Sequence, residues 1–268
     1  MDLGACAASN GDSWRRQADV VVEVDVRAGA FRAECEASRM GTNMHGDKFG
    51  AVLGVGEVMS TYAYREGAVG PKNAHAEVFG GPYGASRLAF ESAVNAEGAI
   101  VYGTLDLPNA LGPSSRYGEF RLVIQPGPSM AEPVVMAHNT ATGYGESGSF
   151  DETRGCADAA TWSSRADLAT ARFGAQAAKT SQDAWPELLA SEDSATVEAD
   201  LVEVIVREER FPLSAVEAVR ISKGDRDEFA QQLAEALAGG FDVDAAAAAY
   251  ARLVGLVDAG ECRLEVVG

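Results

Sequence analysis

Apolar and polar residues alternate in part along "ADVVVEVDVRA" (residues 18–28), which predicts a valine-rich strand. The next stretch, "GAFRAECEASRM", reads as a short helix or turn. Between Asp47 and Tyr64, Phe49, Leu53, Val58 and Met59 recur at helical spacing, weakened by glycines. Glycine and proline crowd residues 67–86, which predicts a loop, and "SRLAFESAVNAEG" follows as a short helix stopping near Gly98. "AIVYGTLDL", "YGEFRLVIQP" and "PVVMAH" read as strands. "NTATGYGESGSFDETRGCADA" is then a long loop of small residues, of the kind that often carries function. Residues 161–189 favour helix, broken near Pro186.

Two strands joined by "REER" are expected within residues 195–222. "GDRDEFAQQLAEALAGG" is a strong helix, with Gly224 or Asp225 as its cap. "DVDAAAAAYARLVGLVDAG" is another, and "CRLEVVG" closes as a strand. Both helices carry apolar stripes suited to completing a core. The pattern is α+β. It divides into an N-terminal strand/helix extension (1–38), a core (39–223) and a C-terminal helical section (224–268).

Composition narrows the function. The 268 residues are 47% hydrophobic, ample for a core, and no apolar run approaches the ~18 residues of a membrane span. The first residues lack the basic start and apolar stretch of a secretory leader, so the chain reads as cytoplasmic. A net charge of −18 repels phosphate backbones and argues against nucleic acid as a partner. Cys6, Cys35, Cys156 and Cys262 are scattered without paired spacing, so reduced thiols and no metal site are expected.

Several motifs fail on context. "GYGESG" matches GxGxxG, but no good helix follows it. There is no GxxxxGK[ST], no GxSxG and no HExxH. Three stretches carry more. "MHGDKFGAVLGVGE" joins one of only three histidines, His45, to Gly46. A histidine at a strand end can donate to a ribose hydroxyl, and a glycine backbone admits a flat ring. "FGGPYGASRLAFES" sets Tyr83 among glycines, where its face can stack on a planar group. "LVEVIVREERFPLSAVEAVRI" places Glu203 among apolar neighbours, costly unless paired or used. The plain alternatives are a turn histidine, a surface tyrosine and a carboxylate facing solvent.

In that order, these residues resemble the ADP-ribosyltransferase superfamily, in its His-Tyr-Glu branch. That branch has a His-Gly at an early strand end, a Gly-rich segment before a Ser-bearing helix, and a Glu opening a late strand. Here these correspond to His45-Gly46, to Gly80-Gly81-Pro82-Tyr83 with Ser86 and Ser92, and to Glu203. The chain is also similar to a bacterial family of unknown function with "FHPDR", "FGGAY", "KYGAL", "RFGS", "GDS" and "VEAQVHG" segments. They appear here as "MHGDK", "FGGPY", "VYGTL", "RYGE", "GES" and "VEVIVRE". The departures are Gly46 and Lys48 for Pro and Arg, Val101 for Lys, and Ile205 for Gln.

The resemblance implies split antiparallel sheets with flanking helices, and NAD as substrate. Its nicotinamide would be held by the Gly46 backbone and Tyr83, with Tyr102 or Tyr117 as substitutes. His45 would orient the ribose, and Glu203 would stabilise an oxocarbenium-like transition state. Ser92 falls in the same binding set, and Arg116, Lys48 or Arg87 would meet the pyrophosphate. The acceptor is open: water, a protein or a small molecule. The competing class is a non-catalytic ligand-binding or protein-interaction module with a degenerate form of this fold.

Overall fold

In a computed structural model, the structure describes all residues except 109–111, 114–116, 143, 146–147, 190–200, 240–241 and 268. The helices are α1 (Leu3–Val24), α2 (Val26–Glu36), α3 (Gly46–Val55), α4 (Thr61–Val69), α5 (Pro71–Phe79), α6 (Gly81–Ala93), α7 (Glu152–Ala157), α8 (Arg165–Ala177), α9 (Trp185–Leu189), α10 (Lys223–Gly239) and α11 (Ala245–Asp258). The strands are β1 (Arg39–Met44), β2 (Glu57–Met59), β3 (Val101–Asp106), β4 (Phe120–Ile124), β5 (Val134–Met136), β6 (Ala159–Thr161), β7 (Glu203–Val206), β8 (Arg210–Pro212), β9 (Val216–Ser222) and β10 (Arg263–Val267). This is an α+β chain. It forms two compact units from interleaved segments: unit 1 holds 1–39, 60–110 and 131–209, and unit 2 holds 40–59, 111–130 and 210–268.

In unit 1 the strand order is β3-β7-β5-β6, with antiparallel neighbours throughout. Leu3, Ala7, Phe90, Val94, Ile100, Met136, Tyr144, Ala159 and Ile205 share one buried core. The strand expected over residues 18–28 is helix instead. Asp2 caps α1 through its side chain, and Asp25 both ends α1 and caps α2. The stripe that is buried, Leu3, Ala7, Trp14 and Ala18, has helical spacing. The valines that suggested alternation are largely outside it: Val20 is 61% exposed and Val24 83%. The N-terminal segment therefore contributes helices, not a strand, up to β1.

The loop expected over residues 67–86 is also helical. Its glycines lie at junctions: Gly70, at φ 80°, links α4 to α5, and Gly81, at φ 77°, opens α6. Prolines sit in the first turn of both α5 and α6, where no amide hydrogen bond is lost. Part of the expected long loop folds as α7. The break near Pro186 is real: α8 ends at Ala177, and Pro186 sits in the first turn of α9.

The four reduced thiols expected are not what the fold holds. Cys6 on α1 and Cys156 on α7 form a disulfide across 150 residues of sequence, while Cys35 is free and buried and Cys262 is free. Nearby, the Asn10 side chain donates to the Cys156 and Ala159 carbonyls, and the Trp14 indole also donates to Ala159.

In unit 2, β1 pairs with β4 and β4 with β9, both antiparallel, and β10 adds in parallel to β9. The expected pair of late strands is in fact three, because β8 forms its own antiparallel pair with β2. Phe49, Phe120, Phe229 and Tyr250 pack ring on ring in succession. The α10 cap is Ser222, whose hydroxyl accepts from the Asp225 amide, two positions before the earlier of the two expected caps, Gly224. α10 buries only Phe229, while α11 buries Ala247, Ala249 and Leu253. Among the described residues, no helix is long and apolar enough to cross a membrane.

Candidate active site

The polar centre of unit 1 forms where one face of α6 meets β3 and β7. Tyr83, Arg87 and Glu91 stand four residues apart and so share that face. Glu203 opens β7, in register with Thr104 on β3 and Met136 on β5. The rest of β7 is Val204, Ile205 and Val206, all buried, and Glu203 itself is only 4% exposed. It therefore does not alternate outward into solvent.

Its carboxylate is held from two sides. Oε2 accepts from the Thr140 amide at 2.8 Å, and Oε1 faces an Arg87 guanidinium nitrogen at 3.8 Å. Burial raises the Glu203 carboxyl above its ordinary range, against the opposing pull of Arg87 and Thr140. Arg87 donates to the Tyr83 hydroxyl at 3.1 Å and lies over the Tyr102 ring, 3.7 Å from its centroid. Tyr102 in turn donates to Glu91 at 2.8 Å, and Glu91 accepts from the Gly98 amide at 2.7 Å. Burial raises the Glu91 carboxyl too, against those two hydrogen bonds and Arg87. It raises the Tyr102 hydroxyl as well.

Thus Glu203, Tyr83, Tyr102 and Arg87 come together in one network. Tyr83 is 42% exposed, at the solvent edge of the network, on a helix rather than the expected turn. Arg87 lies over both rings, 3.7 Å from the Tyr102 centroid and 5.2 Å from that of Tyr83, and Tyr83 is the exposed one of the two. Ser92 lies off the α6 face and donates to Glu97. Ser86 is buried and accepts from the Gly148 amide.

The remaining expected residues belong to unit 2. His45 is the cap residue of α3, and its Nδ1 lies 3.6 Å from Glu119. The Gly46 amide donates to that same carboxylate at 3.0 Å. A Cβ on Gly46 would stand 2.3 Å from the Ala246 Cα, so this glycine is needed for the approach of α11 to α3. Its amide is thus engaged by Glu119 rather than presented to a ring. Lys48 follows on α3, and Tyr117 is 44% exposed. Arg116 lies outside the described residues, as do three residues of "GYGESG", Gly143, Glu146 and Ser147.

Sequence reasoning passed over Glu91 and Thr140. The Tyr83-Arg87-Glu91 spacing carried the signal for Glu91. Nothing local marked Thr140, which reaches Glu203 by its backbone. No group of three or more His, Cys, Asp or Glu that could hold a metal is present among the described residues. No protein-family model matches the chain and no curated protein matches it, so the site is read from its geometry.

Proposed function

We propose that the chain is an NAD-dependent ADP-ribosyltransferase or NAD glycohydrolase, with Glu203 as its charge-stabilising carboxylate. The observation that carries this reading is the buried Glu203 at the head of an apolar strand, beside Arg87 and the partly open Tyr83. A carboxylate so placed costs stability, and such costs cluster at functional sites. The antiparallel pairings within each unit are compatible with an ADP-ribosyltransferase-like fold, which belongs to the same proposal.

In the proposed reaction the bond between nicotinamide and ribose C1 breaks, and its electron pair leaves with nicotinamide. Positive charge grows on the ribose, and the Glu203 carboxylate stabilises it electrostatically. The acceptor's lone pair then forms the new bond to C1, and its proton passes to the carboxylate. The exposed ring of Tyr83 stacks on nicotinamide. The acceptor is water, a protein side chain or a small molecule, and the charge of −18 weighs against nucleic acid. A cytoplasmic location belongs to this proposal, and the Cys6–Cys156 pair bears against it, because cytosolic thiols are kept reduced.

The near-complete burial of Glu203 favours a second reading, a non-catalytic module that keeps this network for its fold. Nicotinamide release from NAD, compared between wild type and Glu203→Gln at equal melting temperature, separates the two. Loss of release by orders of magnitude supports catalysis. No release by the wild type, together with no NAD-induced thermal shift, supports the module.

A further inference from the structure

Glu91 stands in the last turn of α6, just before the segment that leads into β3. Its Oε2 accepts from the Gly98 amide at 2.7 Å, and its backbone carbonyl accepts from the Ala96 amide at 2.9 Å. Gly98 is fixed from the other side, since its carbonyl accepts from the Ser60 hydroxyl at 2.7 Å. Oε1 of Glu91 accepts from the Tyr102 hydroxyl, on β3, at 2.8 Å. Both carboxylate oxygens are engaged inside the protein and Glu91 is only 3% exposed, so it is not placed to touch a ligand.

What Glu91 holds is Tyr102, and Tyr102 carries Arg87. The Tyr102 ring packs against the unit 1 core, and the Arg87 guanidinium lies 3.7 Å from its centroid. The approach of Arg87 to Glu203, at 3.8 Å, is beyond hydrogen-bond distance, so it acts by charge and depends on where the guanidinium is kept. Tyr83 accepts a hydrogen bond from Arg87, but its ring lies farther off, at 5.2 Å, on the solvent edge. Glu203 is faced by Arg87 from α6, by Tyr102 from β3, and by the Thr140 amide and Tyr144 from the chain after β5. Glu91 is faced by Arg87, Tyr102 and Glu97. Arg87 is the cation common to both sets.

On the reading of Glu203 as the charge-stabilising carboxylate, we infer that Glu91 is a positioning residue: by its bond to the Tyr102 hydroxyl it fixes the ring that carries Arg87, and so sets that guanidinium against Glu203. Glu91 and Arg87 are one helical turn apart, which lets one face of α6 supply both the anchor and the group it places.

The test is an NMR titration of the full chain, isotope-labelled at the glutamate side-chain carboxyl carbons, with the Glu203 resonance identified by its loss in Glu203→Gln. Its midpoint is read in Glu91→Gln and Glu91→Leu, which remove the same negative charge. A glutamine keeps the link, because its oxygen accepts from Gly98 and its amide donates to the Tyr102 oxygen, whereas a leucine breaks it. The Glu203 midpoint should stand about one pH unit higher in Glu91→Leu than in Glu91→Gln, as the released guanidinium ceases to oppose burial. Tyr102→Phe keeps the ring and removes no formal charge. It should move the midpoint in the same direction, and it carries the test alone where Glu91→Leu does not fold. The pH profile of nicotinamide release should move with the midpoint. Equal midpoints in the two Glu91 variants, or an unmoved midpoint in Tyr102→Phe, would leave Glu91 a purely structural anchor and overturn the positioning role. Absence of release by the wild type would overturn the reaction proposed for Glu203, while the midpoints would still decide what Glu91 does.

Discussion

Reduction of the Cys6–Cys156 bridge should destabilise unit 1 by releasing a long-range cross-link between α1 and α7. The bridge closes 150 residues of chain. Loop-closure entropy for a loop that long is on the order of 17 cal/mol/K, or about 5 kcal/mol at 25 °C. Residual structure in the unfolded chain lowers the realised value, so a loss of about 3–5 kcal/mol is expected. Cys156→Ser should show it in urea unfolding at neutral pH, and reductant should shift the wild type similarly while leaving the variant in place. A thiol titration of the denatured, unreduced chain should find two reactive groups, Cys35 and Cys262, of the four cysteines. Four reactive thiols, or a loss below about 1 kcal/mol in the variant, would refute the reasoning.

Other outcomes follow from the same contacts. Gly46→Ala drives a Cβ into the Ala246 backbone, so it should destabilise the seating of α11 on α3 by about 1–3 kcal/mol in thermal or urea unfolding. An unchanged midpoint would mean that the helices part without penalty. Glu203 should also mark the pH dependence of stability. Its folded carboxyl is raised by burial above the ordinary 4.5, so its proton binds more tightly in the folded state. That contribution is fully present below the ordinary value and is lost as pH rises through the raised one. Unfolding measured from pH 4 to 8 should therefore show a steeper decline in wild type than in Glu203→Gln, which keeps the raised Glu91 and Asp158 carboxyls. Parallel pH curves for the two proteins would contradict the raised carboxyl.

What was legible in the sequence follows from how local each signal is. β3, β4 and β5 announced themselves because short apolar runs were bounded by turn residues. Glu203 stood out because a carboxylate in an apolar strand is costly wherever the strand packs. The valines of α1 misled because β-branched residues imitate alternation when they sit on an exposed helical face. Leu3, Ala7, Trp14 and Ala18 carried the opposing helical stripe in the same segment. Residues 67–86 misled because glycine and proline mark the ends of short helices as readily as they fill loops. The cysteine pair was beyond reach, since nothing in a 150-residue separation says that α1 and α7 meet. Tyr83 and Glu203 were legible as separate candidates. The link between them was not, because Arg87 joins them only once α6 packs beside β7.

The proposed role of Glu203 is tested most directly by nicotinamide release from NAD, followed for wild type and for Glu203→Gln matched in thermal stability. The account predicts release by the wild type and a fall of at least about a hundred-fold in the variant, as removal of an electrostatic stabiliser gives. Release at an equal rate in both would contradict it.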